Sequence, residues 1–222
     1  MFYWLRNQLK KNRIARAIYF KYYDFCVRYR KNREESHFMR NGEEVIAHVQ
    51  NTLSKTAKVF FFDMGTLLGI YRDGRLIRRD MDIDVGVQIS TNDEIDEVRK
   101  VLLSHGFFHK FVFSTDNHEL IQDTFTYKGI TVDISYYRQE GVKDYIYMIY
   151  NTDDVLKMVC RHVDGVKLYP FGGLRINVPI DTEKYLEDRY GVNWKKPDPS
   201  YKYWEGPSVI KVEGRGICER QY

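Results

Sequence analysis

With 222 residues, 43% of them apolar and 30% charged, the chain can bury one sizeable core but would be pressed to form two domains. No run approaches the roughly 18 uninterrupted apolar residues that a bilayer-crossing helix needs, which excludes a helical membrane span. The net charge of +4 is uneven: residues 1–33 hold ten Lys or Arg against the single acid Asp24, so the remainder is net acidic.

The opening residues lack both an apolar h-region and a small-residue cleavage site, so no secretory signal is read and the chain is expected to start at or near Met1. Cys26, Cys160 and Cys218 are odd in number and far apart. That pattern argues against a disulfide framework and a structural zinc, and places the protein in a reducing cytoplasm. The Cys160-x-His162 pair has no further ligands beside it in sequence and is read as two unrelated residues.

Phe2, Leu5, Leu9, Ile14, Ile18, Tyr22 and Phe25 recur at three- to five-residue steps among basic residues, predicting a basic amphipathic helical segment within residues 1–40. Two readings stay open. The helix packs on the domain with a solvated charged face, or it lies on an anionic membrane surface, with Phe2, Tyr3 and Trp4 inserted. Nucleic-acid binding is disfavoured, because no reader motif accompanies the basic block.

Residues 32–43 are polar and read as a connection; Val45, Ile46, Val49 and Leu53 then mark a helix ending near Lys58. Residues 59–62 form a short apolar strand broken at Gly65. Over 82–87 the chain alternates, with Asp82, Asp84 and Gly86 on one face and Ile83, Val85 and Val87 on the other. Thr91 or Asn92 caps a helix that buries Ile95, Val98, Leu102 and Leu103 and stops at Gly106.

Strands are predicted over 107–113, 119–127 and 130–137, the last two joined by a Lys128-Gly129 hairpin turn. The third strand sets Asp133 in its middle, on the face opposite Ile130, Val132, Ile134 and Tyr136. Residues 145–150 read as a strand, 153–163 as helix or strand, 175–178 as extended, and 181–190 as a helix closed by Gly191. The tail from Trp194, with Pro197, Pro199 and Pro207, reads as an irregular wrap. These elements divide into a helical segment 1–40, a catalytic domain 41–200 and a tail 201–222 packed on it.

Two aspartates at i and i+2 on a strand point the same way, so Asp82 and Asp84 can converge on one hard cation such as magnesium or manganese. Asp133, the lone acid in an apolar strand, would be costly to bury as an unpaired charge, a cost that a bound cation removes. Gly65 and Thr66 offer close backbone approach, amide donors and a hydroxyl at a helix start, which suits a phosphate. Arg72, Arg75, Arg78 and Arg79 surround the following loop and as a group suit a polyanionic nucleotide. The tyrosines beyond residue 126, with Trp194 and Trp204, read first as packing and second as stacking faces for a sugar.

The order of strand, Gly-Thr turn, Asp-x-Asp strand and third aspartate strand resembles the nucleotidyltransferase fold. The fuller text GTLLGIYRDGRLIRRDMDIDVGV resembles the LicD and fukutin-related branch, as does LRINVPIDTEKYLEDRYGVNWKKPD near the C-terminus; together they cover about 45–200. The resemblance implies an α+β domain with a nucleotidyltransferase-like mixed sheet flanked by helices, to which the basic helix and irregular tail are added. It implies a phosphotransferase that moves a phospho-alcohol, such as phosphocholine, phosphoribitol or phosphoglycerol, from a CDP-linked donor to a hydroxyl of a cell-surface glycan or its lipid-linked precursor.

The cofactor so implied is Mg2+ or Mn2+. Asp82, Asp84 and Asp133 would be ligands and catalytic groups, Asp133 also the general base. Gly65, Thr66, Arg72 and Arg79 would hold the donor phosphates, with Asp80 supporting the ligands. The branch usually carries Pro-Trp before three aspartates, where this chain has Arg78-Arg79-Asp80-Met81-Asp82; period two turns Met81 away from the acids. The rival readings are an NTP-dependent nucleotidyltransferase acting on a small molecule or RNA end, and an inactive glycan- or lipid-binding adaptor.

Overall fold

The computed structural model describes residues 13–151 and 153–221, with side chains from residue 21 onward. The expected insertion of Phe2, Tyr3 and Trp4 lies outside the described residues. Helix α1 (Arg13–Leu53) comes first, followed by β1 (Phe60–Phe62), α2 (Met64–Leu68), a π-helical turn (Gly69–Asp73) and β2 (Asp82–Gln88). Next come α3 (Asp93–Ser104), β3 (Phe108–Thr115), β4 (Leu120–Tyr127), β5 (Ile130–Glu140), β6 (Lys143–Tyr150) and β7 (Asp154–Arg161). The hairpin β8 (Val166–Phe171) and β9 (Leu174–Pro179), α4 (Thr182–Tyr190) and β10 (Val209–Arg220) complete the chain. The architecture is α+β, as expected.

The main sheet runs in the order β1-β2-β5-β4-β3-β10-β7-β6. It is mixed: β2 and β5 are parallel, with Asp84 level with Asp133, and the other neighbours are antiparallel. The far end of the long β5 also pairs with β6 through Arg138–Tyr145 to Glu140–Lys143. Six strands, β5-β4-β3-β10-β7-β6, therefore close a circuit and leave few unpaired edges. β1 is the open edge, and β9 shields it: Asn177 Nδ2 donates to the Phe60 carbonyl at 3.2 Å, while Gln50 of α1 holds the Asn177 amide at 2.8 Å.

The core lies where the alternating strands and the periodic helices meet. Ile83, Val85 and Val87 of β2 and Ile130, Val132, Ile134 and Tyr136 of β5 are buried, with Val45, Ile46, Val49 and Leu53 of α1 and Ile95, Val98 and Leu102 of α3. Lys128 and Gly129 take φ 51° and 76°, the two left-handed residues that a tight hairpin turn requires. β7 resolves the ambiguity over 153–163, since Leu156, Met158 and Cys160 are buried at period two.

Three expectations are corrected. The polar connection over 32–43 is helical: α1 runs unbroken through it, because the segment lacks proline and Gly42 sits in the helix where a side chain would meet Leu76. α1 ends at Leu53 rather than near Lys58. The tail is not an irregular wrap, because β10 enters the sheet between β3 and β7. Accordingly, boundaries at 40 and 200 coincide with no break: one falls inside a helix, and the tail beyond the other supplies a strand. Asn92 precedes α3 without capping it; its side chain accepts from Arg138 instead. Among the described residues no helix is long and apolar enough to cross a membrane.

Candidate active site

β2 carries Asp82 and Asp84 on one face, and the α2 start is clamped to the same strand from both sides. The Asp63 amide donates to the Asp84 carbonyl at 3.0 Å, and the Asp84 amide donates to Thr66 Oγ1 at 2.9 Å. The Gly-Thr turn is thereby fixed against the aspartate strand. Thr66 is buried and its hydroxyl serves as this strut.

Asp80 joins the cluster by a route that strand periodicity does not describe. It sits in a turn closed by its amide on the Ile77 carbonyl, and Met81 takes φ 67°, in the left-handed region. That kink costs a residue with a β-carbon on the order of 1–2 kcal/mol, and it swings the Asp80 carboxylate against the Cα of Gly65. A β-carbon at 65 would overlap that carboxylate. Asp80, Asp82 and Asp84 can each bring one carboxylate oxygen within 4.8 Å of the other two.

The compact set therefore contains Asp80, expected only as support, and does not contain Asp133. Asp133 stands one strand over, level with Asp84, where Thr124 Oγ1 donates to its Oδ1 at 2.5 Å and draws it toward β4. The pairing of β3 with β4 shifts between His109 and Phe111, and bulges of this kind re-aim side chains. Lys110 lies in that shift, and its charge acts on Asp133. No sequence signal marks the bulge, so periodicity alone does not bring Lys110 to the site.

Burial dominates the electrostatics. It pushes Asp80 up to about 6 and, with the charges of Asp80 and Asp133 added, Asp82 up to about 7. Asp84 is raised by burial and by the surrounding aspartates. For Asp133 burial also prevails, opposed by hydrogen bonds from Thr124 and Gln122 and by the charge of Lys110.

Other buried acids in the molecule are fully answered. Asp123 accepts from Arg99 at 2.6 and 2.9 Å and from Tyr136, with His109 at 3.1 Å; Asp144 accepts from Gln88 and the Val163 amide, with His162 Nδ1 at 2.7 Å. Asp80 Oδ2 and Asp82 Oδ1, by contrast, are buried with no hydrogen-bond partner among the described residues. Among the described residues no Lys, Arg or His forms an ion pair with Asp80, Asp82, Asp84 or Asp133. Clustered oxygens left orphaned and unopposed by cations fit an oxygen-seeking divalent ion.

Behind α2 lies a second acid, outside the set that the sequence motifs single out. Asp63 caps α2 by accepting from the Met64 amide at 2.7 Å. It also accepts from Tyr137, from Tyr185 at 2.8 Å and from Arg189 Nη2 at 3.3 Å, all of them buried. Its place directly before a helix is an N-cap signal. Arg189 and Tyr185 belong to the C-terminal block whose text carries the resemblance, and the structure shows what that block does: Arg189 neutralises the acid that holds the α2 start.

The basic loop divides. Arg72 is tied to Asp73 at 2.9 and 2.8 Å and Arg78 to Glu35 at 3.2 Å, whereas Arg79 is exposed and enters no ion pair among the described residues. Trp194 is buried and stands with Tyr71 at 6.1 Å, and Trp204 packs on Tyr150 at 4.9 Å. Two clefts of about 580 and 550 Å³ border the loop, one against α1 and one against the β8–β9 hairpin; none of the four aspartates lines either.

Comparison with known proteins agrees with this geometry. Residues 58–181 match the family described as "LicD/FKTN/FKRP, nucleotidyltransferase domain". The proteins named "Ribitol-5-phosphate transferase FKTN" from Macaca fascicularis, Homo sapiens and Mus musculus are each 24% identical over 189 residues. Each alignment covers 80% of this chain and 38% of the relative, so the chain spans well under half the length of these relatives.

Proposed function

The chain belongs to the LicD/FKTN/FKRP nucleotidyltransferase family, and on that premise we propose that it transfers a phospho-alcohol from a CDP-linked donor to a glycan hydroxyl. Phosphoribitol, phosphoglycerol and phosphocholine are the candidate groups, and the acceptor is a cell-surface glycan or its lipid-linked precursor, met at the cytoplasmic face of a membrane. The observation that carries the reading is the Asp80, Asp82 and Asp84 cluster, with two buried oxygens that no described residue satisfies.

Asp82 and Asp84 would hold Mg2+ or Mn2+, joined by Asp80, while Asp133 stands close enough to be felt by Asp82 and Asp84. When bound, the ion supplies charge neutralisation on the non-bridging phosphate oxygens. The chain's own residues do the rest. Asp133, held by Thr124, accepts the proton of the attacking hydroxyl; burial raises its affinity for protons above that of an ordinary carboxylate, which favours a base. The hydroxyl oxygen bonds to the phosphorus of the alcohol phosphate, the bond from that phosphorus to the bridging oxygen breaks, and CMP departs with the electron pair. Lys110 and Arg79 offer positive charge to the donor's phosphates, and the clamped α2 start with Gly65 sets their approach.

The test is release of CMP from CDP-ribitol, CDP-glycerol or CDP-choline by purified protein with Mg2+ or Mn2+ and a glycan acceptor. Asp82→Asn and Asp84→Asn are expected to abolish it without loss of fold; full turnover in both would overturn the ligand assignment. Pyrophosphate release from an NTP would transfer support to a nucleotidyltransferase. Failure of CDP-alcohols and NTPs alike to turn over, with glycan binding retained, would support an adaptor.

A further inference from the structure

The transfer reaction leaves unused a surface at the protruding end of α1. The helix spans 41 residues, about 60 Å at the usual rise, and among its described side chains docking on the domain begins at Glu35. Glu35, Phe38, Val45, Ile46, Val49 and Leu53 are buried, whereas residues 21–34 are exposed throughout except for half-buried Cys26.

On that bare stretch Tyr22, Phe25, Cys26 and Tyr29 recur at three- and four-residue steps and share one face. Tyr22 is 66% exposed, Phe25 65% and Tyr29 64%, and the Phe25 and Tyr29 rings stack at 6.3 Å. Helical spacing places Lys21 and Arg28 along one border of the face and Arg30 along the other, with Arg33 on the face itself, one turn beyond Tyr29. The single acid between residues 21 and 33, Asp24, falls on the far side with Lys31. Arg30 touches Glu34 at 4.0 Å in an exposed contact that contributes little. A merely solvated helix face would not present three large aromatics in a row.

Charge selects the occupant. Residues 1–33 hold ten cations against one acid, and the ring types are those that settle at a headgroup boundary, apolar in body with a hydroxyl at the tip of each tyrosine. We propose that residues 21–33 of α1 dock lengthwise on an anionic phospholipid surface, with Tyr22, Phe25 and Tyr29 at the headgroup boundary and the flanking Lys and Arg on lipid phosphates. The docked half of the same helix then fixes the catalytic domain relative to that surface. The inference does not depend on which group is transferred.

The experiment is flotation of the full chain with vesicles of phosphatidylcholine alone and of phosphatidylcholine mixed with phosphatidylglycerol, at physiological and at high salt. Binding is expected only to the anionic vesicles and to fall at high salt. The pairs Phe25→Ser with Tyr29→Ser, and Arg28→Gln with Arg33→Gln, should each weaken partitioning at least about tenfold. Circular dichroism, melting temperature and CMP release on a soluble acceptor should stay unchanged, because these side chains touch neither core nor site. Equal binding by the variants, equal binding to neutral vesicles, or no binding by the wild type would overturn the proposal. A dimer in sedimentation velocity that Phe25→Ser with Tyr29→Ser dissolves, without lipid binding, would also overturn it and make the face a contact between copies.

Discussion

A β-carbon at Gly65 would occupy the space taken by the Asp80 carboxylate, so the smallest substitution at the turn should act on the cation site rather than on the fold. Gly65→Ala is expected to keep its circular dichroism spectrum but to lose much of the stabilisation by Mn2+ in thermal denaturation, because Asp80 must leave the cluster. Unchanged Mn2+ stabilisation would show that Asp80 is dispensable. Asp82→Asn tests the cost of the same cluster without metal. Burial raises Asp80 to about 6, and burial with neighbouring charge raises Asp82 to about 7. The folded state therefore holds these protons more tightly than the unfolded chain. The stability this gives is present at pH below about 4 and is lost as pH rises through 6 and 7. In EDTA the wild type should melt lower at pH 7.5 than at pH 5. Asp82→Asn should flatten that decline and melt a few degrees higher at pH 7.5, while losing its response to Mn2+.

At the scale of elements, α2 is a five-residue helix too short to stand alone, and α4 reaches across to hold it. Arg189 and Asp63 are both nearly inaccessible, and removing one member of a buried pair leaves the other charge stranded, at a cost of about 3–5 kcal/mol. Arg189→Met should lower stability by that order in urea titration, with Asp63→Asn added back recovering part of it in a double-mutant cycle. Simple additivity would show that the two do not act as a pair.

The same elements show what the sequence could disclose about the site. The facing of Asp82, Asp84 and Asp133 is legible because strand alternation fixes the side on which every second residue lies. Period two also sets Asp80 on that face, but the backbone brings it there through a left-handed turn at Met81, one residue before β2 begins, which no sequence signal marks. Arg189 carries no periodic signal of its own, since its partner lies 126 positions away.

For the whole molecule, the strands carrying the aspartates, the hairpin at Lys128-Gly129 and the helices with a periodic apolar face follow from local pattern, whereas the parallel pairing of β2 with β5 joins positions some fifty residues apart. The closure of the sheet is not local either, because β10 pairs with strands formed some fifty to one hundred residues earlier, and it reads as polar: its outer positions are exposed and Gly214, at φ 126°, interrupts it near a register shift. That strand bridges β3 and β7, with Gly216–Arg220 on the one and Val209–Arg215 on the other. Truncation after Pro207 would unpair both neighbours at once and expose two edges that the intact chain covers. The truncated chain is therefore expected to show a lower urea midpoint and to run as soluble aggregates in size-exclusion chromatography, though every aspartate of the site is retained. A monomeric truncation with an unchanged midpoint would mean that the circuit is closed well enough by β5 and β6, and that β10 is an addition to the domain rather than part of its frame.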